Sequence, residues 1–112
     1  MVQLGAGSHR YEVIDDWPDL PHGFDWGQVV QVVVDRNDQV LFFHRGTPGV
    51  LRFDTAGAYL GAWTDDGRFE DIHAALLVSG ESGDELLIVD RNRNTIARTT
   101  LDGDIIWELT SE

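Results

Sequence analysis

A segment of 26 residues occurs twice in this chain, and this repeat limits the possible folds more than any other feature. Residues 38–63 correspond to residues 84–109 at an offset of 46 positions. A period of this length, built from short apolar runs separated by turns, indicates one supersecondary unit that is used more than once. The matched pairs include Val40 with Leu86, Phe42 with Ile88, Val50 with Ile96, Arg52 with Arg98, Gly57 with Gly103, and Leu60 with Ile106.

The apolar runs predict an all-β chain. No segment has a sustained helical period, whereas short runs rich in β-branched residues alternate with turn residues. Each unit is predicted to be a four-stranded meander. The run from Val29 to Val34 is almost wholly β-branched, which is typical of a strand buried on both faces. The predicted strands are residues 29–34, 40–44, 50–54 and 58–63, then 73–78, 85–90, 95–100 and 104–109.

The pattern divides the chain into four parts. The first, residues 1–27, holds a short predicted strand from Tyr11 to Ile14 and an aromatic connector. That strand could add to the outer edge of a unit in its own chain or in a neighbouring copy. The other parts are the first unit at 28–63, a polar connector at 64–71 and the second unit at 72–112.

The aromatic connector, residues 15–27, combines two prolines with two tryptophans and Phe24. Proline and glycine interrupt regular structure there, yet the rings are too large to leave in water. We therefore expect this connector to fold back over an apolar surface.

The charge balance narrows the classes of partner. Twenty Asp and Glu residues against eight Lys and Arg give a formal net charge of −12, which repels phosphate backbones and excludes nucleic acid as an expected partner. No apolar run is long enough to cross a bilayer, and the first ten residues lack the apolar core of a secretion signal. We expect a cytoplasmic chain without a membrane partner. The absence of cysteine excludes disulfides and thiolate metal sites.

Several short motifs are similar to a known family. Tyr11-Glu12-Val13, Trp17-Pro18-Asp19-Leu20-Pro21, Phe43-His44-Arg45-Gly46 and the stretch from Val50 to Gly57 resemble the layout of the NHL-repeat β-propellers. Among these, the chain looks most like the branch that includes peptidyl-α-hydroxyglycine α-amidating lyase. The resemblance runs from Tyr11 to Leu109 and implies that each unit is a propeller blade. Members of this family resemble closed six-bladed propellers, whereas this chain has two units.

Two blades alone would leave two outer sheet faces in water, and a large exposed apolar face favours association. A contact between unlike faces is head-to-tail and can close into a ring. We therefore expect a homotrimeric six-bladed propeller. The alternative is that the chain is a piece of a longer protein.

The resemblance also implies two site residues. His73 is similar to a zinc ligand that faces the central channel, and a trimer would offer it three times because Val30 stands at the equivalent place in the first unit. Three imidazoles around one point suit zinc with an open fourth position. The alternative is an ordinary histidine at a strand end.

Arg45, in His44-Arg45-Gly46, is similar to the catalytic arginine of the lyase. It could orient a carboxylate or stabilise an oxyanion. The alternative is a turn arginine paired with an acid such as Asp35 or Asp90, which the recurrence of arginine at Arg91 slightly favours.

Other polar residues are predicted to close turns. His44 and its counterpart Asp90 could bond backbone amides. The remaining turn aspartates, whose spacing does not match a calcium loop, are predicted to be caps: Asp35, Asp38, Asp54, Asp84 and Asp102.

The favoured functional hypothesis is a binding or scaffold module that self-associates into a ring and takes a peptide or small molecule in its central channel. The alternative is a metal-dependent, lyase-like enzyme with His73 as zinc ligand and Arg45 as substrate clamp. A structural remnant without a ligand is the third possibility. A threefold ring repeats a single set of residues, which disfavours an asymmetric set of acid, base and clamp.

Overall fold

The computed structural model describes residues 2–63 and 66–111 and confirms the all-β prediction. It contains ten strands, which are numbered in chain order. They are β1 (Gln3–Ala6), β2 (His9–Glu12), β3 (Val29–Val34), β4 (Val40–His44), β5 (Val50–Phe53), β6 (Tyr59–Ala62), β7 (Ile72–Gly80), β8 (Gly83–Asp90), β9 (Thr95–Thr100) and β10 (Ile105–Thr110).

Eight of these strands form two four-stranded antiparallel meanders. The first sheet has the order β3-β4-β5-β6 and the second the order β7-β8-β9-β10. The eight predicted strands are therefore confirmed, with bounds that differ by up to two residues, most of all in β7 and β8. β7 and β8 stay paired as far as Gly80 and Gly83, so the three extra residues of the second unit lengthen a hairpin instead of widening its turn.

The core lies between the two sheets. Leu41, Phe43 and Val50 of the first sheet face Leu86 and Ile88 of the second, and all five are fully or almost fully buried. The innermost strands β3 and β7 contact each other across this interface. Removing apolar area from water contributes about 25 cal/mol per Å², so this shared core holds the two sheets together.

The aromatic connector covers the other face of the first sheet, as predicted. The ring of Trp26 lies 5.1 Å from Phe42 and 6.2 Å from Phe53, and Trp17 lies 6.1 Å from Phe42. Phe24 meets Tyr59 edge to face at 5.9 Å. The first sheet is therefore not left bare, which corrects the expectation of two uncovered outer faces.

The prediction that β3 is buried on both faces is wrong for the single chain. Val33 is buried, but Val29, Val32 and Val34 are exposed. The connector rings pack on rings of β4, β5 and β6, and these three valines of β3 stay exposed beside them. The valine-rich inner strand thus presents an apolar edge to solvent.

The N-terminal strand lies two residues earlier than predicted and has a partner within its own chain. β2 pairs antiparallel with β1, so that Leu4 is opposite Tyr11. Both strands are exposed along their whole length. This N-terminal hairpin was not predicted, because β1 is only four residues long and contains Gly5.

Within residues 2–63 and 66–111, no helix has the length and apolar character needed to cross a membrane.

Candidate functional site

The two site residues predicted from the sequence contact each other. Nη2 of Arg45 lies 2.9 Å from Nδ1 of His73, which joins the end of β4 to the start of β7. Nε of Arg45 lies 3.3 Å from the carboxylate of Asp71, and Nη2 of Arg91 lies 2.9 Å from the same carboxylate. Asp71 is nearly buried, while Arg91 is exposed. Two arginines therefore share one carboxylate beside His73, and we call these four residues the arginine cluster.

His44 holds the turn that carries Arg45. Its Nδ1 accepts hydrogen bonds from the backbone N–H groups of Gly27 (2.9 Å) and Gly46 (3.1 Å), and its Nε2 donates to the carbonyl of Pro48 (2.6 Å). Because Nδ1 accepts twice, the neutral ring carries its proton on Nε2. The prediction that His44 closes the turn through backbone amides is confirmed.

Asp90 performs the equivalent role in the second sheet. Its buried carboxylate accepts from the backbone N–H groups of Glu70 (2.7 Å), Asp71 (3.2 Å) and Arg93 (3.1 Å), which confirms the same prediction for Asp90. These bonds fix the backbone on both sides of the arginine cluster, so the positions of Arg45, Asp71 and Arg91 are set by backbone geometry.

The bond to Arg45 limits what His73 can ligate. A guanidinium has donors and no acceptor, so Nδ1 of His73 must accept, and the neutral ring then carries its proton on Nε2. Neither nitrogen keeps a free lone pair for zinc in this arrangement. Among the residues that the structure describes, no group of three His, Cys, Asp or Glu side chains could hold a metal ion. A zinc site built from His73 would require other copies of the chain and release from Arg45.

Each of the three guanidinium nitrogens of Arg45 has a partner. Besides Asp71 and His73, its Nη1 donates to Oε1 of Gln28 at 3.3 Å, and its backbone N–H donates to the Gln28 carbonyl. The alternative that Arg45 is a turn arginine paired with an acid is confirmed, but the acid is Asp71 and not Asp35 or Asp90. Asp71 gave no signal in the sequence, because its role depends on two turns that meet only in the folded chain.

A cleft opens beside the arginine cluster, between the turn after β4 and the segment that precedes β7. The cleft is open to solvent, and its volume of about 590 Å³ includes part of that solvent space. Arg68 lies on its wall and is held by Asp66 at 2.8 Å, and the hydrogen bond from Arg68 lowers the pKa of Asp66. Guanidinium and carboxylate groups stand side by side in this wall with Trp63 and Phe69. Such a lining suits a polar ligand that carries both signs of charge, as a peptide does.

Ion pairs fasten the sheets to each other at other points. Arg36 of the β3–β4 turn bonds Asp84 of β8 at 3.0 Å, and Arg52 of β5 bonds Asp102 at 2.6 Å. The hydrogen bond from the Arg36 side chain, with a second from its backbone N–H, lowers the pKa of Asp84. The prediction that Asp84 and Asp102 act as turn caps is therefore wrong.

Two other turn aspartates do act as predicted. Asp35 accepts from the N–H groups of Asn37 and Gln39, and Asp54 accepts from those of Ala56 and Ala58. Caps and inter-sheet partners look alike in the sequence, because both are aspartates in polar turns.

The second sheet presents an apolar face to solvent, which we call the open face. Through the repeat, the residues of the open face are the counterparts of those on the face of the first sheet that forms the core. Phe43, Val50 and Trp63 are 0%, 1% and 7% exposed, whereas their counterparts Val89, Ile96 and Leu109 are 37%, 42% and 66% exposed. The same positions are thus covered in the first sheet and uncovered in the second. Leu76 and Trp107 also belong to the open face.

A scan of protein-family models finds none that matches the chain, and a search of curated proteins also finds no match.

Proposed function

We propose that this protein is a self-assembling binding module, in which the open face of one copy docks on the connector-covered face of the first sheet in the next. The main support for this proposal is the 46-residue repeat, which relates the interface inside the chain to the open face. The residues that bury the first sheet against the second have counterparts at the same positions of the open face. The chain therefore contains one example of the contact and offers the surface for another.

The connector-covered face of the first sheet can also take part in such a contact, although the connector lies on it. Within the chain, Trp63 and Phe69 lie between the two sheets, 5.7 Å apart, and do not keep them from packing. Trp17 precedes Trp63 by 46 positions and Trp26 precedes Phe69 by 43. The connector aromatics thus match rings that already lie inside a sheet-to-sheet contact.

Trp17 and Trp63 each pack against a glycine, and these two glycines are counterparts in the repeat, which supports this match. A Cβ added to Gly57 would lie 2.8 Å from the Trp17 ring, and one added to Gly103 would lie 2.8 Å from the Trp63 ring. Each tryptophan therefore packs on the last turn of the sheet that follows it.

Three copies would supply the six sheets that the resemblance to NHL-repeat propellers implies, as a homotrimeric ring. Each copy would then bring one arginine cluster and one adjoining cleft near the innermost strands. The proposed ligand is a peptide or small molecule with at least one carboxylate, because exposed Arg91 keeps donors that Asp71 does not use and guanidinium binds carboxylate through paired hydrogen bonds.

The experiment is light scattering coupled to size exclusion over a range of protein concentrations. The expected mass is that of three chains. Ile96→Glu places a charge on the open face and should shift the mass to one chain. Leu60→Glu is the matched control. Leu60 and its counterpart Ile106 are exposed in both sheets, so neither position belongs to the sheet-to-sheet contact, and a charge there should leave the mass unchanged. A monomer at all concentrations would exclude the proposal.

A second candidate is a metal-dependent, lyase-like enzyme, with His73 as zinc ligand and Arg45 as substrate clamp. Its support is that the fold brings these two residues of different sheets together, although the bond between them occupies Nδ1 of His73. Turnover would require Arg45 to leave His73 for a substrate carboxylate. Release of glyoxylate from a hydroxyglycine-extended peptide, with metal content measured in the same sample, tests it. If no glyoxylate forms at any zinc concentration, this candidate is excluded.

A further inference from the structure

The N-terminal hairpin has an apolar side that nothing in its own chain covers. Leu4 and Tyr11 lie opposite each other, and the N–H of Val13 donates to the carbonyl of Val2 at 2.8 Å. Val2, Leu4 and Tyr11 are all exposed. Among the strands that the structure describes, β1 and β2 contact only each other. An isolated two-stranded hairpin is marginally stable in water, so this one lacks the packing that such a hairpin needs.

The chain between the hairpin and β3 shows where a covering surface would lie. Trp63 extends the outer strand β6 of the first sheet, since its N–H donates to the carbonyl of Val50, while its indole donates to the Leu101 carbonyl in the second sheet at 2.9 Å. Residues 59–62, which precede Trp63, are therefore the outer strand of the first sheet, on the other side of the contact from the second sheet. Trp17 is the counterpart of Trp63, so residues 13–16 should run along the outer edge of a preceding sheet.

In the proposed assembly, that preceding sheet is the second sheet of another copy, whose outer strand is β10. All six residues of β10 are exposed, and the strand lies at the sheet edge, where backbone N–H and C=O groups are free to pair with another strand. Its Leu109 is the counterpart of Trp17 and Trp63 and is the most exposed large residue of that strand.

From these relations we infer that the N-terminal hairpin and residues 13–16 of one copy lie along β10 of a second copy. This inference rests on the proposed head-to-tail assembly. It adds a second contact at each junction: the open face meets the first sheet, and the hairpin covers the outer edge beside it. The apolar side of the hairpin then packs against the apolar residues of β10.

Cysteine cross-linking tests the placement, because the chain has no cysteine of its own. Positions 14, 60 and 106 are counterparts at offsets of 46, and Ile14, Leu60 and Ile106 are all exposed. Ile14→Cys chains are mixed with Ile106→Cys chains and oxidised, and Ile14→Cys with Leu60→Cys is the matched control. The mixed disulfide with position 106 should exceed the control by at least about tenfold, because the proposed contact holds positions 14 and 106 together.

Equal yields in the two mixtures, with self-association of the unsubstituted chain intact, would overturn the hairpin placement and leave the assembly standing. A monomeric unsubstituted chain would overturn both. As a second measurement, Leu4→Glu should weaken association by about tenfold or more, because it puts a charge in an apolar contact. Ser8→Glu adds the same charge in the hairpin turn and should not change it. Association unchanged by Leu4→Glu would also overturn the placement.

Discussion

The guanidinium of Arg45 donates to Nδ1 of His73 across 2.9 Å, and this bond connects the two sheets at one end of their interface. The bond fixes the tautomer of the neutral His73 ring and the direction of the Arg45 side chain. His73 has its proton on Nε2 when neutral, and Arg45 is directed toward the start of β7.

The first prediction concerns this bond. At a pH where the ring is neutral, nitrogen NMR should show Nδ1 of His73 as a hydrogen-bond acceptor and Nε2 as protonated. Arg45→Ala should change the Nδ1 signal and lower the free energy of unfolding by about 1–2 kcal/mol, because three partners of a partly exposed arginine are lost. Arg91→Ala is the control: it should leave the His73 signals in place and change stability by under about 0.5 kcal/mol. A protonated Nδ1 in the unsubstituted protein would contradict the bond.

The second prediction concerns His44. His44→Ala leaves the N–H groups of Gly27 and Gly46 without their acceptor. Both groups are part-buried, so each loss should lie toward the low end of the range of about 1–3 kcal/mol that an unsatisfied buried group costs. We expect a loss of about 2–4 kcal/mol in urea unfolding. His44→Asp should lose less, because Asp90 serves as the acceptor at the equivalent position. If aspartate is no better than alanine, the ring acts by packing against Trp26 and not by accepting these bonds.

The third prediction separates backbone strain from a clash. Gly103 and Gly23 have φ of +88° and +91°, and alanine at either position should cost about 1–2 kcal/mol for the left-handed backbone. A Cβ at Gly103 also meets the Trp63 ring, whereas one at Gly23 meets nothing within 4 Å. Gly103→Ala should therefore be clearly more destabilising than Gly23→Ala and should change the tryptophan fluorescence. Equal losses would mean that Trp63 moves aside freely.

The fourth prediction concerns pH. Arg36 holds the pKa of Asp84 below its ordinary value of 3.8, so the folded state favours the ionised form. The stabilisation is complete above the ordinary value and is lost as the pH falls through the lower, folded-state pKa. The unsubstituted protein should exceed Asp84→Asn in stability at pH 7, and the gap should shrink in acid.

A substitution of Arg36, the partner of Asp84, provides the control. Arg36→Gln should remove the larger, side-chain share of the acid-dependent part, while the backbone N–H of residue 36 still donates to Asp84. Adding Asp84→Asn to it should therefore have a smaller effect than Asp84→Asn alone. An Asp84→Asn difference that persists unchanged to low pH would rule out the ion pair as its cause. The contribution at pH 7 should also fall in high salt, because the arginine is exposed and surface pairs are screened.

The strands were predictable because their signals are local. Turn residues at Asp35, Asp54 and Gly103 interrupt alternating apolar runs, and backbone hydrogen bonds follow within a few positions. The connector was predictable for a similar reason, since tryptophan and phenylalanine seldom remain in water.

The rest depended on which distant turns meet. Nothing near Asp71 in the sequence indicates that it pairs with Arg45 and Arg91, which lie 26 residues before it and 20 after it. Burial of β3 was predicted from composition alone, but composition does not tell whether the covering surface belongs to the same chain. For that reason Val29, Val32 and Val34 of β3 are exposed here, although Val33 is buried.

The two outer sheet faces of this molecule differ from each other. The open face of the second sheet is bare, and the outer face of the first sheet is covered by the aromatic rings of the connector. In the proposed assembly, a single contact between two copies uses one face of each kind and leaves one of each kind at the two ends, so an open dimer is not an end point. Growth stops only when the last copy reaches the first. A single discrete particle size would therefore reveal a closed circle, and a ladder of sizes that lengthens with concentration would reveal a fibre.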